Sequence, residues 1–210
     1  MSHLTLSVRQ TVLSLCLGAA ALALAPAAMA QTVNSYDKVA HVGNSELQLN
    51  GSGTRFKAIF KVYDMGLYVS RTGSSPKDVY EAPGAKRLSF VALRDINAAD
   101  IGLMLIRGLE ANSDGGVLKR YHKEMAALTE VFSSELNIKS GQAFRVDFVP
   151  GKGVVCFMGN KQAGQPFGNE EFFNAMLRVW LGDKPADERL KRALLGLPPV
   201  NQSTTVAQAY

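Results

Sequence analysis

Polar and apolar residues alternate from Glu46, with Leu47 and Leu49 on one side. They alternate again from 56 to 62, where Phe56, Ala58, Phe60 and Val62 share a face. A period of two marks a half-buried strand, and the intervening Gly51-Ser52-Gly53 predicts the turn of a hairpin. The opposite face of the second strand carries Arg55, Lys57, Ile59, Lys61 and Tyr63. Gly66, just before Leu67, Tyr68 and Val69, predicts a bulge or bend. A connection rich in Gly, Ser and Pro follows over 71–85, with one short helical turn near 77–80, and residues 86–93 read as the next strand.

The period then lengthens to 3.6. Asn97 is placed to cap a helix that carries Asp100 in its first turn and Ile101, Leu105 and Leu109 on one side. A second helix is predicted over 116–135, with Leu118, Tyr121, Met125, Leu128 and Phe132 at helical spacing. Strands over 143–149 and 154–159 flank the turn sequence Pro150-Gly151-Lys152-Gly153. Gly164 to Phe167 lead into a helix over 169–181, and a last helix starts near Asp187 and stops at Gly196. Strands, two helices, a hairpin and two helices, without βαβ alternation, imply an α+β fold in which helices gather on one side of an antiparallel sheet.

The first thirty residues obey neither period. Arg9, an apolar run over 12–25 and Ala28-Met29-Ala30 form the three parts of a secretory signal, predicting cleavage after Ala30 and a periplasmic or secreted protein. The run is shorter than the ~20 apolar residues that cross a bilayer, so no stable membrane insertion is expected once it is removed. The domain is then expected over 31–197, with a flexible tail over 198–210. Removing this segment also changes the charge picture. The whole chain carries Lys+Arg 23 and Asp+Glu 18, a net +5; the segment holds one base and no acid, leaving a diffuse +4. Such a charge, with no basic stripe, gives no reason to expect a nucleic-acid partner. Cys16 leaves with the segment, so Cys156, in the strand pattern V-V-C-F-M, has no partner and is expected to be a buried, inert thiol. His41 and His122 lack neighbours at metal-ligand spacing, and neither a metal nor a cofactor is expected.

One constellation carries candidate chemistry. Arg55 and Tyr63 lie on the same face of the strand, where a permanently charged guanidinium with paired N–H donors and a directional hydroxyl would suit a carboxylate or an enolate under a helical lid. The competing reading is that Arg55, Lys57 and Lys61 face water.

At these residues the chain resembles the chalcone isomerase superfamily, in particular its bacterial members with signal peptides. The resemblance rests on G-S-G-T-R-F-K-A-I-F-K-V-Y-D-M-G-L-Y-V at 51–69, F-V-A-L-R-D-I at 90–96 and F-F-N-A-M-L-R-V-W-L-G-D-K-P-A-D at 172–187. It implies an open-faced β-sandwich, a curved antiparallel sheet covered on one side by helices, with a ligand cleft between the layers. Plant enzymes of this superfamily close a flavanone ring without a cofactor, using an arginine together with hydroxyl and amide groups. Relatives that bind fatty acids hold the carboxylate with an Arg and a Tyr. Carried onto this chain, Arg55 is the counterpart of the functional arginine and Tyr63 replaces a threonine, which is the fatty-acid-binding pattern. Tyr121 matches the active-site tyrosine. Leu128 and Val179 stand where a polar asparagine and threonine are expected, a change that disfavours a polyphenol and costs an aliphatic chain nothing. The favoured expectation is a non-catalytic protein binding a fatty acid or similar hydrophobic carboxylate through Arg55, Tyr63 and Tyr121. The alternatives are a cofactor-independent intramolecular lyase or isomerase using the same three residues on a conjugated carbonyl, and a structural protein whose cleft is filled by Phe56, Phe60, Phe172, Phe173 and Trp180.

Overall fold

The computed structural model describes residues 36–133 and 137–199; the predicted signal and most of the predicted tail lie outside them. In chain order the elements are β1 (Val39–Val42), β2 (Ser45–Lys57), β3 (Phe60–Val69), α1 (Pro76–Tyr80), β4 (Lys86–Ala92), β5 (Ile96–Asn97), α2 (Ala98–Ala111), α3 (Val117–Arg120), α4 (His122–Ser133), β6 (Asn137–Ile138), β7 (Ala143–Val149), β8 (Gly153–Met158), β9 (Lys161–Phe167), α5 (Glu170–Leu181) and α6 (Glu188–Leu194). Seven strands form one antiparallel sheet in the order β1-β2-β3-β4-β7-β8-β9, and β5 pairs with β6 separately. Helices pack on one face, giving the α+β arrangement the periodicities predict.

The alternation of β3 and β4 decides what each face meets. Tyr63, Met65, Leu67 and Val69 point with Leu88 and Phe90 into the core shared with α2, α4 and α5. On the other face Tyr68 joins Val42, Leu47 and Ala85 in a smaller cluster. Gly66 belongs to that face. It pairs regularly with Ser52 and Ser89, so the predicted bulge is absent there. Its small size has another cause: a Cβ would sit 2.7 Å from the Tyr36 ring.

The predicted turn at Gly51-Ser52-Gly53 is likewise corrected. These residues lie inside β2, and the chain reverses at the two residues between Lys57 and Phe60, with Ala58 at φ 55°. The glycines serve α6. A Cβ on Gly51 would stand 2.1 Å from the Ala193 carbonyl oxygen, and one on Gly53 would stand 2.7 Å from Ala193 Cβ. Asn50 seals the contact by donating to the Leu194 carbonyl at 2.7 Å. Gly51→Ala should therefore lose about 1–3 kcal/mol of stability through overpacking. Gly102→Ala, in α2 with nothing within 4 Å of the new Cβ, should instead gain up to about 1 kcal/mol. Chemical denaturation of the two variants checks both signs.

Two further differences matter. The helix predicted over 116–135 breaks at Tyr121, whose backbone (φ −108°, ψ 26°) ends α3. The segment leading to α5, for which no strand is predicted, forms β9. Other expectations are met: Asn97 caps α2 by accepting from the Ala99 amide at 2.8 Å, and Asp187 caps α6 through the Arg189 and Leu190 amides. Cys156 is buried, and that burial pushes its thiol up to about 12, so the protonated, inert form prevails at neutral pH.

Candidate functional site

The hairpin brings Arg55 and Tyr63 together by a route other than the predicted one. They occupy adjacent strands, where Arg55 of β2 stands directly opposite Tyr63 of β3. Cross-strand partners share a face, so both project toward the helices. The Arg55 guanidinium lies 5.6 Å from the centre of the Tyr63 ring, and its Nε is buried without a hydrogen-bond partner among the described residues. Tyr63 is 4% exposed. Its hydroxyl accepts from Trp180 Nε1 at 2.7 Å and reaches Met104 Sδ at 3.7 Å. Burial pushes the phenol up to about 12, against the opposing pull of Arg55 and of the Trp180 hydrogen bond. At neutral pH Tyr63 is a hydrogen-bond donor rather than a base.

Asp187 fixes the strand beside this pair. Besides capping α6, its Oδ2 accepts from the Phe56 amide at 2.9 Å, tying the helix to β2 one residue past Arg55. A carboxylate that caps a helix is legible in the sequence; its second contact, made 131 residues back along the chain, is not.

Three spaces meet along α2. An open cleft of about 460 Å³ is lined by Arg55, Lys57, Tyr63, Met104 and Arg107. Beneath it, Tyr63, Ile101 and Met104 also line an inner cavity whose other walls, including Leu88, Phe90, Leu128 and Trp180, are apolar. That cavity holds only about 30 Å³, close to the room one water takes, so it is nearly filled by side chains. Leu105, Leu128 and Phe132 pass its wall on to a groove of about 650 Å³ between α2 and α4. Met104 and Met176 border the inner cavity, and their unbranched thioether side chains repack at little cost. The arrangement sets a cationic mouth, Arg55, Lys57 and Arg107, above an apolar interior bordered by methionines.

The remaining predicted residues are placed as follows. Tyr121 is not brought to the Arg55–Tyr63 pair. Its ring lies 5.3 Å from Phe172, and it lines a different depression with Tyr80, Asn112, Arg120 and Arg178. Leu128 does line the inner cavity, as the apolar substitution requires. Val179 is fully buried against α2, where a Cβ on Gly108 would meet its Cγ1 at 2.6 Å; it shapes a helix contact rather than the cleft. Of the aromatics proposed to fill the cleft, Phe172 and Phe173 are core residues, Trp180 borders the inner cavity and Phe60 is 58% exposed. Sequence reasoning missed Met104 and the role of Trp180 as a donor. The signal for the latter exists, because a buried indole N–H needs an acceptor and Tyr63 offers a hydroxyl on the sheet face that the helices cover.

Comparison with known proteins agrees with this architecture. The fatty-acid-binding protein AtFAP1 of Arabidopsis thaliana has a similar structure, with a TM-score of 0.60 at 16% identity, over 76% of this chain and 90% of that one. No curated protein matches the chain in sequence. The chalcone isomerase-like family matches residues 27–196, which include every strand and helix among the described residues and the Arg55–Tyr63 cleft. The chain belongs to the chalcone isomerase-like family.

Proposed function

We propose that the protein binds a long-chain fatty acid or a similar hydrophobic carboxylate. The carboxylate rests on Arg55 at the mouth of the cleft, and the chain runs past Tyr63 and Met104 into the apolar space along α2. The observation that carries this reading is the buried Nε–H of Arg55, without a hydrogen-bond partner among the described residues, in a cleft whose floor passes to apolar walls. A buried charged donor left unmade is costly, and a carboxylate is the acceptor whose two oxygens match a guanidinium. Tyr63 supplies a second donor when its hydroxyl turns from the Met104 sulfur, while still accepting from Trp180. Leu128 in the wall favours an aliphatic chain, since a polar substrate group beside it would lose its hydrogen bond. AtFAP1, which shares the fold, is itself a fatty-acid-binding protein. In this reading residues 1–30 direct export and are cleaved after Ala30, which places the binding site outside the cytoplasm; a purified exported protein beginning elsewhere than Gln31 would refute that part.

Trp180 is the chain's single tryptophan and borders the inner cavity, so its emission reports on ligand entry. Titrating delipidated protein with palmitate should shift that emission saturably, with hexadecanol binding more weakly. A flat titration, confirmed by calorimetry showing no heat of binding, would overturn the proposal.

A further inference from the structure

The tip of the β2–β3 hairpin is built against local preference. A two-residue turn with a positive φ at its first position calls for Gly or Asn, yet the tip is Ala58-Ile59, with Ala58 at φ 55°. Ile59 is 83% exposed and the adjoining Phe60 58%. Leu103 of α2, on the rim of the cleft, is 49% exposed. Among the described residues only Val39 joins these three as an exposed large apolar side chain. The three lie beside the cleft: Arg94, which lines it, holds its guanidinium 5.8 Å from the centre of the Phe60 ring.

Charge surrounds this apolar tip. Lys57 and Lys61 flank it, and the cleft rim carries Arg94, Arg107 and Lys184. None of these five cations forms an ion pair among the described residues. The rim's carboxylates are Asp95 and Asp100, and Asp95 is already engaged by Lys139 at 2.8 Å. Apolar side chains that project from a ring of unpaired cations match a surface that is anionic outside and hydrocarbon beneath. A second copy of the chain is a poor occupant, because a two-fold contact through this tip would bring the same cations face to face.

We infer that the hairpin tip, with Leu103, docks the mouth of the cleft onto an anionic lipid bilayer. What docking delivers, a lipid carboxylate passed directly to Arg55, rests on the fatty-acid reading; docking itself does not. The test is co-sedimentation of the full chain with vesicles of equal parts phosphatidylcholine and phosphatidylglycerol, without added fatty acid. Wild type is compared with Ile59→Ser/Phe60→Ser, so that the apolar first thirty residues are common to both. Loss of two exposed apolar anchors should weaken vesicle binding by about tenfold or more. Added salt, and vesicles of phosphatidylcholine alone, should weaken wild-type binding too. Palmitate titration of the variant, read by Trp180, should match wild type. Equal vesicle binding by the two chains would overturn the inference, as would a lipid-free dimer that the substitutions abolish. Tip-dependent vesicle binding by a protein that takes no palmitate would leave docking standing and remove the fatty-acid reading, so the two failures are distinguishable.

Discussion

Arg55→Ala is expected to weaken palmitate binding by about tenfold to a hundredfold, the range of a lost charge-assisted hydrogen-bond pair of about 1.5–3 kcal/mol. Hexadecanol, which presents no charge, should bind both chains with nearly equal affinity, so the ratio of the two ligands isolates the guanidinium. Arg55→Lys should recover only part of the loss, because an ammonium is a point charge without the fork that meets both carboxylate oxygens. The variant should fold normally. Arg55 forms no ion pair among the described residues, and its packing over the Tyr63 ring at 5.6 Å is worth about 0.5–1 kcal/mol. Tyr63→Phe is the less clean experiment, since it also removes the acceptor of the buried Trp180 N–H and costs stability for that reason. If Arg55→Ala binds palmitate as wild type does, the carboxylate sits elsewhere in the cleft and the proposed orientation fails.

The sequence makes the Arg55–Tyr63 pair visible through parity. A strand read as continuous from 55 to 63 puts both residues on one face because eight is even. The real hairpin does so because the register pairs them directly, with a shift after Arg55 that absorbs the odd residue. The correct site thus follows from an incorrect turn, and the error has a physical source. Gly51-Ser52-Gly53 has the composition of a turn, while the need for small residues there comes from Ala193 of α6, distant in sequence. Elements that bury an apolar stripe are legible: α2, β4 and α5 alternate or repeat as their burial demands. β9 is not, because K-Q-A-G-Q-P-F lies at the sheet edge, buries little, and contains Pro166, which marks non-strand unless an edge is known to be there. Tyr121 falls in helical phase with Leu118 and Met125, and periodicity cannot register that the chain stops being helical at that residue.

The largest stability effect is expected on the face of the sheet turned away from the helices and the cleft. Asp147 of β7 is 3% exposed and accepts two hydrogen bonds from Arg87 of β4, at 2.6 and 2.7 Å, across a direct cross-strand pair. Arg145 approaches the same carboxylate at 3.8 Å and stacks on Phe157 at 3.9 Å. Burial, and then the neighbouring Arg87, already pull Arg145 below the ordinary guanidinium range, with Asp147 as the opposing influence. Asp147→Ala removes the carboxylate that Arg87 and Arg145 share and should cost about 3–5 kcal/mol, the cost of stripping one partner from a buried pair. Lys86 provides the contrast. Its side chain is fully buried, with Nζ 2.5 Å from the half-exposed Glu170 carboxylate. Glu170→Ala strands that ammonium and should destabilise. Lys86→Met removes the charge along with the need to solvate it, and should be neutral or stabilising. Urea denaturation of the three variants separates breaking an ion pair from replacing it. A loss below about 1 kcal/mol for Asp147→Ala would mean that water reaches the two guanidiniums and that this face behaves as a surface. Palmitate affinity of Asp147→Ala should be unchanged as long as it stays folded, because Asp147 points away from the helices that wall the cleft.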